Sequence, residues 1–568
     1  MVITLQPLPV DSLSEVPKGG STDDNLFTVV TFAPVQGFIG SSRKLRDLYG
    51  SSLLLSYLAR AIVLDAEKRL GNKRQQADVA EPDAGVTKQE GPGVVISPAL
   101  VNASRGTPNL LVIRGDYKWG HGRDALKKAW SDVLLNTRSW IEAALPEGTN
   151  PWTYEWATSW TQWQEHAWEY FHAQGSTISL ARRQLALSKQ QRAWSGINWT
   201  GESSTLKGSD AICRPMMSRV IDPRHVSAAA VDEETKAFIK ALRDLPQLGE
   251  AFAGEGEQLS IPELVKRLVT YPVISRDALA GEKLTDVRPE RFDAIASSRS
   301  LCWFMADGDS VGQHLEKQSA GDPSKEPEAL NTFSDALRQW AAGLYRDVPA
   351  QHGNKATVIY AGGDDLLGAL HDRPDESGAD SSSPLKAHDI HQWLRSFPVL
   401  WESHGQAISV SMGLAYVKDT VPQREALQHV REAERSAKDR GRNRFALRLV
   451  FSGGQSIEWV CPWKLLPKLL DAYRDRHPSR RSGIDADWGH LAADTATLRN
   501  RRALNGSDPE AEAVALALWR LYFPQLADSP PPLEGSGGIG QPLGDWLHAM
   551  GQVLSRLPQG KAPQEVAA

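Results

Sequence analysis

The stretch that most constrains this chain is residues 357–370, TVIYAGGDDLLGAL. Two apolar runs flank a Gly-Gly-Asp-Asp turn, a pattern typical of a β-hairpin with two carboxylates at its tip. Aspartate is unfavourable in strands, so Asp364 and Asp365 beside buried strands form the kind of local conflict that marks functional sites. A hard cation such as Mg²⁺ would resolve the conflict, because it binds a few carboxylate oxygens and shares its remaining coordination with phosphates.

A second acidic turn lies upstream of this hairpin. The run LCWFMA at residues 301–306 predicts a buried strand, and Asp307 follows it directly. If the two strands are neighbours, Asp307 lies beside Asp364, which is the arrangement of nucleotidyl-transfer palms. The chain then turns into a polar helix, whose free N–H groups can hold a phosphate. The predicted nucleotide-binding turns comprise Gly308, Asp309, Ser310, Val311 and Gly312, with Gly362 and Gly363 of the hairpin.

A strand-like run at residues 408–413 and a basic helical segment at residues 433–447 follow the hairpin. This order resembles that of GGDEF-type cyclases, with GGDD at the turn. The GGDD variant resembles the large polymerase–cyclase subunit of type III CRISPR effector complexes. The Cmr subtype (type III-B) of that subunit is similar to residues 32–59, FAPVQGFIGSSRKLRDLYGSSLLLSYLA. Pro108-Asn109 and the run GESSTLKG at residues 201–208 carry the same resemblance, which covers residues 26–455.

The resemblance implies a nucleotidyltransferase that condenses ATP into oligoadenylate-type second messengers, cyclic or linear, when the RNA-guided complex binds target RNA. It also implies Mg²⁺ or Mn²⁺ as the cofactor and ATP as the substrate. The implied partners are the other protein subunits of the complex, the guide RNA and the target RNA. Two rivals stay open: a non-catalytic scaffold subunit of the same complex, and a stand-alone diguanylate cyclase. The sequence does not distinguish oligoadenylates from mixed AMP conjugates.

The acidic and basic candidates have distinct expected roles. Asp307, Asp364 and Asp365 are the expected catalytic residues and metal ligands, with an exposed acidic turn as the alternative. Asp309 is a further candidate ligand, although the resemblance to GGDEF cyclases also allows it to support the loop instead. By the same resemblance Lys438 meets the triphosphate; the alternative is a solvated basic helix face among neighbouring arginines.

The N-terminal stretch predicts a first palm without an acidic turn. Residues 34–37, Pro-Val-Gln-Gly, stand where the carboxylates would be, so this palm is expected to be catalytically silent. Arg43 and Lys44 at the following helix start are candidates for binding the second nucleotide. An RNA contact, a protein contact and a plain cationic helix face are the competing interpretations.

These patterns predict an α/β (α+β) chain with two ferredoxin-like palms, the second GGDEF-like, and with helical intervening and C-terminal domains. Its 568 residues exceed what one core supports. We expect a leader at residues 1–25, the first palm with insertions at 26–205, a helical linker domain at 206–295, the GGDD cyclase palm at 296–455 and a C-terminal helical domain at 456–568.

Composition indicates the cellular compartment and the kinds of ligand that the chain can bind. The formal net charge is -5, so RNA contacts are expected to be local or shared with partners. The 3 cysteines lie far apart, which fits a reducing, cytoplasmic compartment. They are too few for a four-cysteine zinc site, so no zinc is expected. No membrane span or secretory signal is predicted, and the palm starts too early in the sequence for a preceding HD-type nuclease domain.

Overall fold

The computed structural model describes residues 26–558 except for 41, 72–92, 100–105, 146–151, 192–195, 198, 200–201, 216–227, 250–251, 255, 280–294, 296, 373–382, 478–486, 507 and 536. The predicted leader, residues 1–25, lies outside the described residues.

The first sheet has four strands in the order β2-β3-β1-β4, and each pair of neighbours is antiparallel. The strands are β1 (Phe27–Ala33), β2 (Val95–Ser97), β3 (Leu111–Arg114) and β4 (Glu169–Gly175). The helices of this unit are α1 (Val35–Gly40), α2 (Leu45–Leu70), α3 (Trp119–Ala144), α4 (Tyr154–His166) and α5 (Ile178–Gln190). Because α2 connects β1 to β2 and α3 lies between β3 and β4, the unit has the βαββαβ topology of a ferredoxin-like palm.

The second sheet has six strands in the order β10-β9-β8-β5-β7-β6. Its strands are β5 (Ser300–Gly308), β6 (Ala356–Ala361), β7 (Asp365–His371), β8 (Val410–Lys418), β9 (Arg444–Val450) and β10 (Ser456–Pro462). Its helices are α9 (Val311–Gln318), α10 (Glu326–Gln351), α11 (Ala387–Glu402) and α12 (Gln423–Asp439), and they follow the three linker helices described below. The part β8-β5-β7-β6 repeats the order of the first sheet, so the fold class with two palms is confirmed.

Beyond this repeated core, β9 pairs parallel with β8, and β10 pairs antiparallel with β9. The sheet therefore continues to Pro462, past the predicted palm boundary at residue 455. The remaining helices between and after the palms are α6 (Ala228–Arg243), α7 (Ile261–Leu268), α8 (Pro272–Ala278), α13 (Leu466–Ala472), α14 (Gly489–Asn500), α15 (Pro509–Tyr522) and α16 (Leu543–Leu554).

Helix α2 is long and apolar enough to cross a membrane by length and composition alone, with a mean hydropathy of 1.2 over its most apolar window. The prediction that no stretch of the sequence has the length and apolarity of a membrane span is therefore wrong for α2. In the structure 78% of that window is buried, and α3 and α7 pack against the helix. This burial is that of a core helix, and no other helix of the described residues passes the same test.

The two palms contact each other in a reciprocal manner. Helix α10 of the second palm packs on β2 of the first, and α2 of the first palm packs on β6 of the second. In the first of these contacts, the backbone N–H of Ala99 donates to Ser334 Oγ at 3.0 Å. The Asn331 side chain donates to the backbone oxygen of Ile96 at 2.9 Å. Since equivalent elements meet in both directions, the palms face each other with approximate two-fold symmetry.

A buried ionic cluster joins the first palm to the linker helices. Arg267 of α7 contacts both carboxylate oxygens of Asp47 of α2, at 2.7 and 2.9 Å. Its guanidinium also donates to Glu257 at 2.7 Å. All three side chains are nearly inaccessible to solvent. Removing one partner of such a cluster would leave a buried charge unpaired, so the cluster fixes α2 against α7.

Candidate active site

The predicted acidic turns meet at one end of the second sheet. Asp307 at the end of β5 is the direct cross-strand partner of Asp365 at the start of β7. The backbone N–H of Gly308 donates to the carbonyl of Asp364 at 3.2 Å, and the Gly362 N–H donates to the carbonyl of Asp365 at 3.0 Å. These backbone contacts fix the hairpin turn beside β5. The structure therefore brings Asp307, Asp364 and Asp365 together, as the sequence analysis expected.

The local environment disfavours negative charge on this group. Desolvation first, and then the charge of Asp307, raise the pKa of Asp364. Desolvation, a hydrogen bond with Asp307 and the charges of both neighbours raise the pKa of Asp365 well above its ordinary value. Burial and mutual repulsion thus disfavour the ionised forms of Asp364 and Asp365, and perturbed groups of this kind are candidates for functional residues.

Lys438, in the last turn of α12, provides the nearest positive charge. Its ammonium group contacts the Asp307 carboxylate and lies 2.5 Å from Glu434 on its own helix. Desolvation lowers the pKa of Lys438, but the hydrogen bonds to Asp307 and Glu434 outweigh it, so the pKa is raised. The Lys438 and Asp307 side chains each keep 29% of their surface exposed. The lysine is thus charged, solvent-accessible and beside the acidic group.

Asp309 has a separate set of hydrogen-bond partners. Its carboxylate accepts hydrogen bonds from the Ser411 hydroxyl at 2.7 Å, the Ser409 hydroxyl at 2.9 Å and the Asn443 backbone N–H at 2.9 Å. Both oxygens are therefore occupied by donors of other strands and turns. Its predicted role as a metal ligand stays a prediction, and these contacts favour the alternative, in which Asp309 supports the loop. Ser409 and Asn443 could not be predicted as partners of Asp309, because contacts across 100 residues or more leave no local pattern in the sequence.

The turn after β5 has an unusual backbone. Ser310, the residue before α9, adopts the left-handed region with φ 56°, which is uncommon for a residue other than glycine, asparagine or aspartate. The Asp309 N–H donates to the Ser409 carbonyl at 2.8 Å and holds the turn against the start of β8. Helix α9 then begins at Val311, so the N–H groups of Val311 and Gly312 belong to its first turn, where they have no partner within the helix.

The turn between α12 and β9 is left-handed over three consecutive residues. Gly441, Arg442 and Asn443 have φ of 115°, 59° and 51°. Arg442 and Asn443 persist in this conformation because the surroundings fix it. Asp309 accepts the Asn443 N–H, and buried Arg444 donates to the carbonyl of Gly538 in the C-terminal region at 2.9 Å. The end of the Lys438 helix is thus held from both sides.

Two family models match parts of the chain. Residues 300–446 match the model described as Cas10/Cmr2, second palm domain, and residues 27–105 match the model described as CRISPR-associated protein Cmr2, N-terminal. Residues 300–446 are thus similar to a Cas10/Cmr2-type second palm. The two matches together support a large subunit of the Cas10 type from a type III CRISPR system.

Solved structures with a similar architecture include crystal structures of the Csm1–Csm4 cassette. The complex with cA4 is 13% identical, with a TM-score of 0.47, and the alignment covers 94% of this chain and 70% of that chain. The complex with one ATP is 14% identical, with a TM-score of 0.43, covering 93% and 69%. A comparison with curated protein sequences gives no match.

The cationic residues predicted to bind the second nucleotide lie at the start of α2. Arg43 is 3.8 Å and Lys44 is 4.0 Å from the carboxylate of Glu257. That carboxylate already has its closer contact with Arg267. Desolvation and the neighbouring charge of Arg267 lower the pKa of Lys44. The structure thus places both residues at the edge of the buried ionic cluster, and their nucleotide-binding role stays a prediction.

The first palm differs from the Cas10/Cmr2-type second palm at the turn after its first strand. Here β1 ends at Ala33, and α1 follows without a carboxylate. Lys266 of the linker helix α7 donates to the Phe38 carbonyl at 2.5 Å and lies 4.0 Å from the centre of its ring. Pro34, Trp168 and Lys266 line a small cavity at this position. A lysine and apolar side chains therefore surround the turn after β1, where the second palm has carboxylates.

The residues of the second palm fit a divalent cation held with a substrate. Among the described residues, no group of three or more His, Cys, Asp or Glu side chains is arranged to hold a metal. Magnesium commonly takes only one or two carboxylates and completes its coordination with phosphates and water. Asp307 with Asp364 or Asp365 provides those carboxylates, and burial together with mutual repulsion raises the pKa of Asp364 and of Asp365.

Proposed function

We propose that this chain is a nucleotidyl cyclase or polymerase that condenses ATP into oligoadenylate-type messengers. The observation that carries the proposal is the convergence of Asp307, Asp364 and Asp365 beside Lys438 at the end of a palm sheet. In the reaction, the 3′-oxygen of one nucleotide forms a bond to the α-phosphorus of another. The bond from that phosphorus to pyrophosphate breaks, and the 3′-hydroxyl proton passes to solvent.

The chain's own residues position and neutralise the triphosphate. Lys438 contacts Asp307 in the structure, and it would turn to the phosphates when they enter, because their charge exceeds that of one carboxylate. The turn at Ser310, Val311 and Gly312 offers backbone N–H groups at the start of α9. Asp309 would hold this turn and the end of the Lys438 helix in a fixed relation through its contacts to β8 and Asn443.

Asp307 and the hairpin pair Asp364 and Asp365 would hold Mg²⁺ or Mn²⁺. When bound, the cation lowers the pKa of the 3′-hydroxyl and offsets charge on the triphosphate. The carboxylates are the contribution of this chain: the backbone contacts of Gly308 and Gly362 fix their positions before any ligand arrives. Groups that are fixed in place before the reaction account for much of the rate acceleration where charge develops in the transition state.

The first palm would hold the acceptor nucleotide. Condensation needs a second nucleotide in line with the first, and the reciprocal packing of α10 on β2 and of α2 on β6 presents one palm to the other. The first palm has no acidic turn, and Lys266 instead contacts α1, the helix that follows β1. It would therefore bind without catalysing, with Arg43 and Lys44 as the candidate phosphate contacts. One copy of the chain would then suffice.

We further propose that the chain works in the cytoplasm as a subunit of a type III-B complex. Other protein subunits, guide RNA and target RNA would control the activity of the second palm. The match of residues 27–105 to the Cmr2 N-terminal model supports the Cmr subtype. Buried free thiols at Cys213, Cys302 and Cys461 fit a reducing compartment.

The test is to assemble the complex and supply labelled ATP or labelled GTP with and without target RNA. The proposal expects Mg²⁺-dependent release of pyrophosphate and an adenylate oligomer that appears only with target RNA. Guanylate products without RNA would instead support a diguanylate cyclase. Absence of any product from a fully assembled, RNA-bound complex would support a scaffold.

A further inference from the structure

The strand that leads into the acidic hairpin contains an irregularity. Val358 pairs with Gly368, whereas Tyr360 pairs with Leu367, so β6 has one more residue than β7 at this point. A bulge of this kind redirects the side chains that follow it. The Tyr360 side chain lies over Gly362, because a Cβ atom at Gly362 would be 1.9 Å from the tyrosine hydroxyl. Tyr360 therefore covers the backbone of the turn that carries Asp364 and Asp365.

The other side of Tyr360 contacts the first palm. A Cβ atom on Gly106 would lie 2.7 Å from the Tyr360 ring and 3.2 Å from the carbonyl of Ala361. Gly106 has φ 74°, which a residue with a side chain rarely adopts. The segment 106–109 belongs to the connection between β2 and β3, which corresponds to the connection between β6 and β7 that carries the GGDD turn in the second palm. The corresponding turns of the two palms meet at this ring.

Polar contacts anchor the first-palm segment. The Thr107 N–H donates to Ser56 Oγ of α2 at 2.7 Å, and the Asn109 side chain donates to Thr31 Oγ1 of β1 at 3.0 Å. From the second palm, buried Arg338 of α10 donates to the carbonyl of Gly106. The segment is thus fixed to α2 and β1, and it is also bound to the helix that supports the hairpin.

Helix α10 also contacts the hairpin strand directly. The hydroxyl of Tyr345 accepts the backbone N–H of Ala361 at 3.1 Å. A movement of the first palm relative to the second would therefore act on Ala361 and Tyr360 together. These two residues immediately precede Gly362, so the shift would reach the carboxylates within four residues.

We propose that Tyr360 is a positioning residue, and that the first palm sets the position of Asp364 and Asp365 through the contact between Gly106 and the Tyr360 ring. The inference rests on the proposed function, since it assigns a control point to that same site. The first palm would then regulate the geometry of the catalytic hairpin, in addition to any nucleotide it binds.

The test is a double-mutant cycle in the assembled complex. Gly106→Ala introduces a methyl group against the ring, and we expect kcat to fall about tenfold to 100-fold, as for a small misplacement of reacting groups. Gly405→Ala is the matched control, because Gly405 has φ 75° and nothing within 4 Å of an added Cβ. It carries the same backbone strain without the contact, so we expect a similar fall in Tm and an unchanged kcat.

The second arm uses Tyr360→Val, which removes the ring. In this background Gly106→Ala should cause no further loss of kcat, because the two residues act through one contact. The Mn²⁺ concentration for half-saturation, followed by electron paramagnetic resonance with a non-hydrolysable ATP analogue, should rise for Gly106→Ala and stay unchanged for Gly405→Ala.

An equal change in kcat for Gly106→Ala and Gly405→Ala, or fully additive losses of kcat in the cycle, would overturn the inference. The proposed function fails in a different way, namely if the wild-type complex forms no product or if the hairpin carboxylates prove dispensable. The two failures are therefore distinguishable in the same set of assays.

Discussion

Asp307 and Asp365 are direct partners across β5 and β7, and desolvation together with this acidic neighbour raises the pKa of the Asp365 carboxyl well above its ordinary value. In the absence of a cation, such a pair retains a proton that the unfolded chain releases above its ordinary pKa of 3.8. The folded state then binds more protons than the unfolded state. Stability should therefore fall as the pH rises from about 4 through the raised pKa of Asp365.

This linkage predicts the effect of Asp365→Asn on stability. Without metal, the variant should unfold about 2 °C higher than the wild type at pH 7, since a repulsive charge is removed. The gain stays small because solvent screens the partly exposed side chain. Below pH 4 the two proteins should unfold at the same temperature. Thermal unfolding in a chelating buffer from about pH 3 to 8 measures this; a lower Tm for the variant at pH 7 would contradict it.

The contacts of Asp309 predict a role distinct from that of Asp307. Asp309→Asn should lower kcat about tenfold and leave the Mg²⁺ concentration for half-maximal activity unchanged, because Asp309 supports two turns and does not bind the cation. Asp307→Asn should abolish turnover. The measurement is a Mg²⁺ titration of initial rates. A several-fold higher Mg²⁺ requirement for Asp309→Asn would restore Asp309 as a metal ligand.

Lys438 is expected to act on the triphosphate. Lys438→Met should lower kcat/KM for ATP about 100-fold, because the site loses a charge aimed at the phosphates. Arg435→Met, which removes an exposed charge from the same helix, is the control and should have little effect. The measurement is the steady-state rate of each variant as a function of ATP concentration. If both variants behave alike, Lys438 belongs to a solvated basic face.

Arg43 and Lys44 test the acceptor role of the first palm. Replacing both with alanine should raise the KM for ATP about tenfold, whereas Tm should change little because Asp47 keeps its contact with Arg267. Lys68→Ala with Arg69→Ala removes two charges from the other end of α2 and is the control. An unchanged ATP dependence combined with weaker complex assembly would assign Arg43 and Lys44 to a protein or RNA contact.

The features that the sequence predicted best are those with strong local patterns. The apolar runs around GGDD and before Asp307 predicted the strands β5, β6 and β7. In the structure these strands are neighbours, and their acidic ends lie side by side. The fourth strand of the first palm, β4, has no strong local pattern. Its sequence EYFHAQG includes His172 and Gln174, which look unfavourable for a buried strand. Both find polar partners in the fold, at the Tyr117 carbonyl and at Asp116.

The parts that could not be predicted depend on contacts between distant segments. Asp309 meets Ser411 and Asn443 only after β8 and β9 have assembled beside β5. The contact of Gly106 with Tyr360 requires both palms to fold and dock. Strand β10 lies beyond the predicted palm boundary at residue 455, yet it pairs with β9 over its whole length.

The central claim is that the hairpin carboxylates perform nucleotide condensation. The most direct measurement compares the wild type with the Asp364→Ala, Asp365→Ala double variant in complexes of matched assembly, using labelled ATP, Mg²⁺ and target RNA. We predict that the variant assembles and binds RNA like the wild type but forms no product, because its hairpin can no longer hold the cation. Product formation by the double variant at a rate near that of the wild type would contradict the claim.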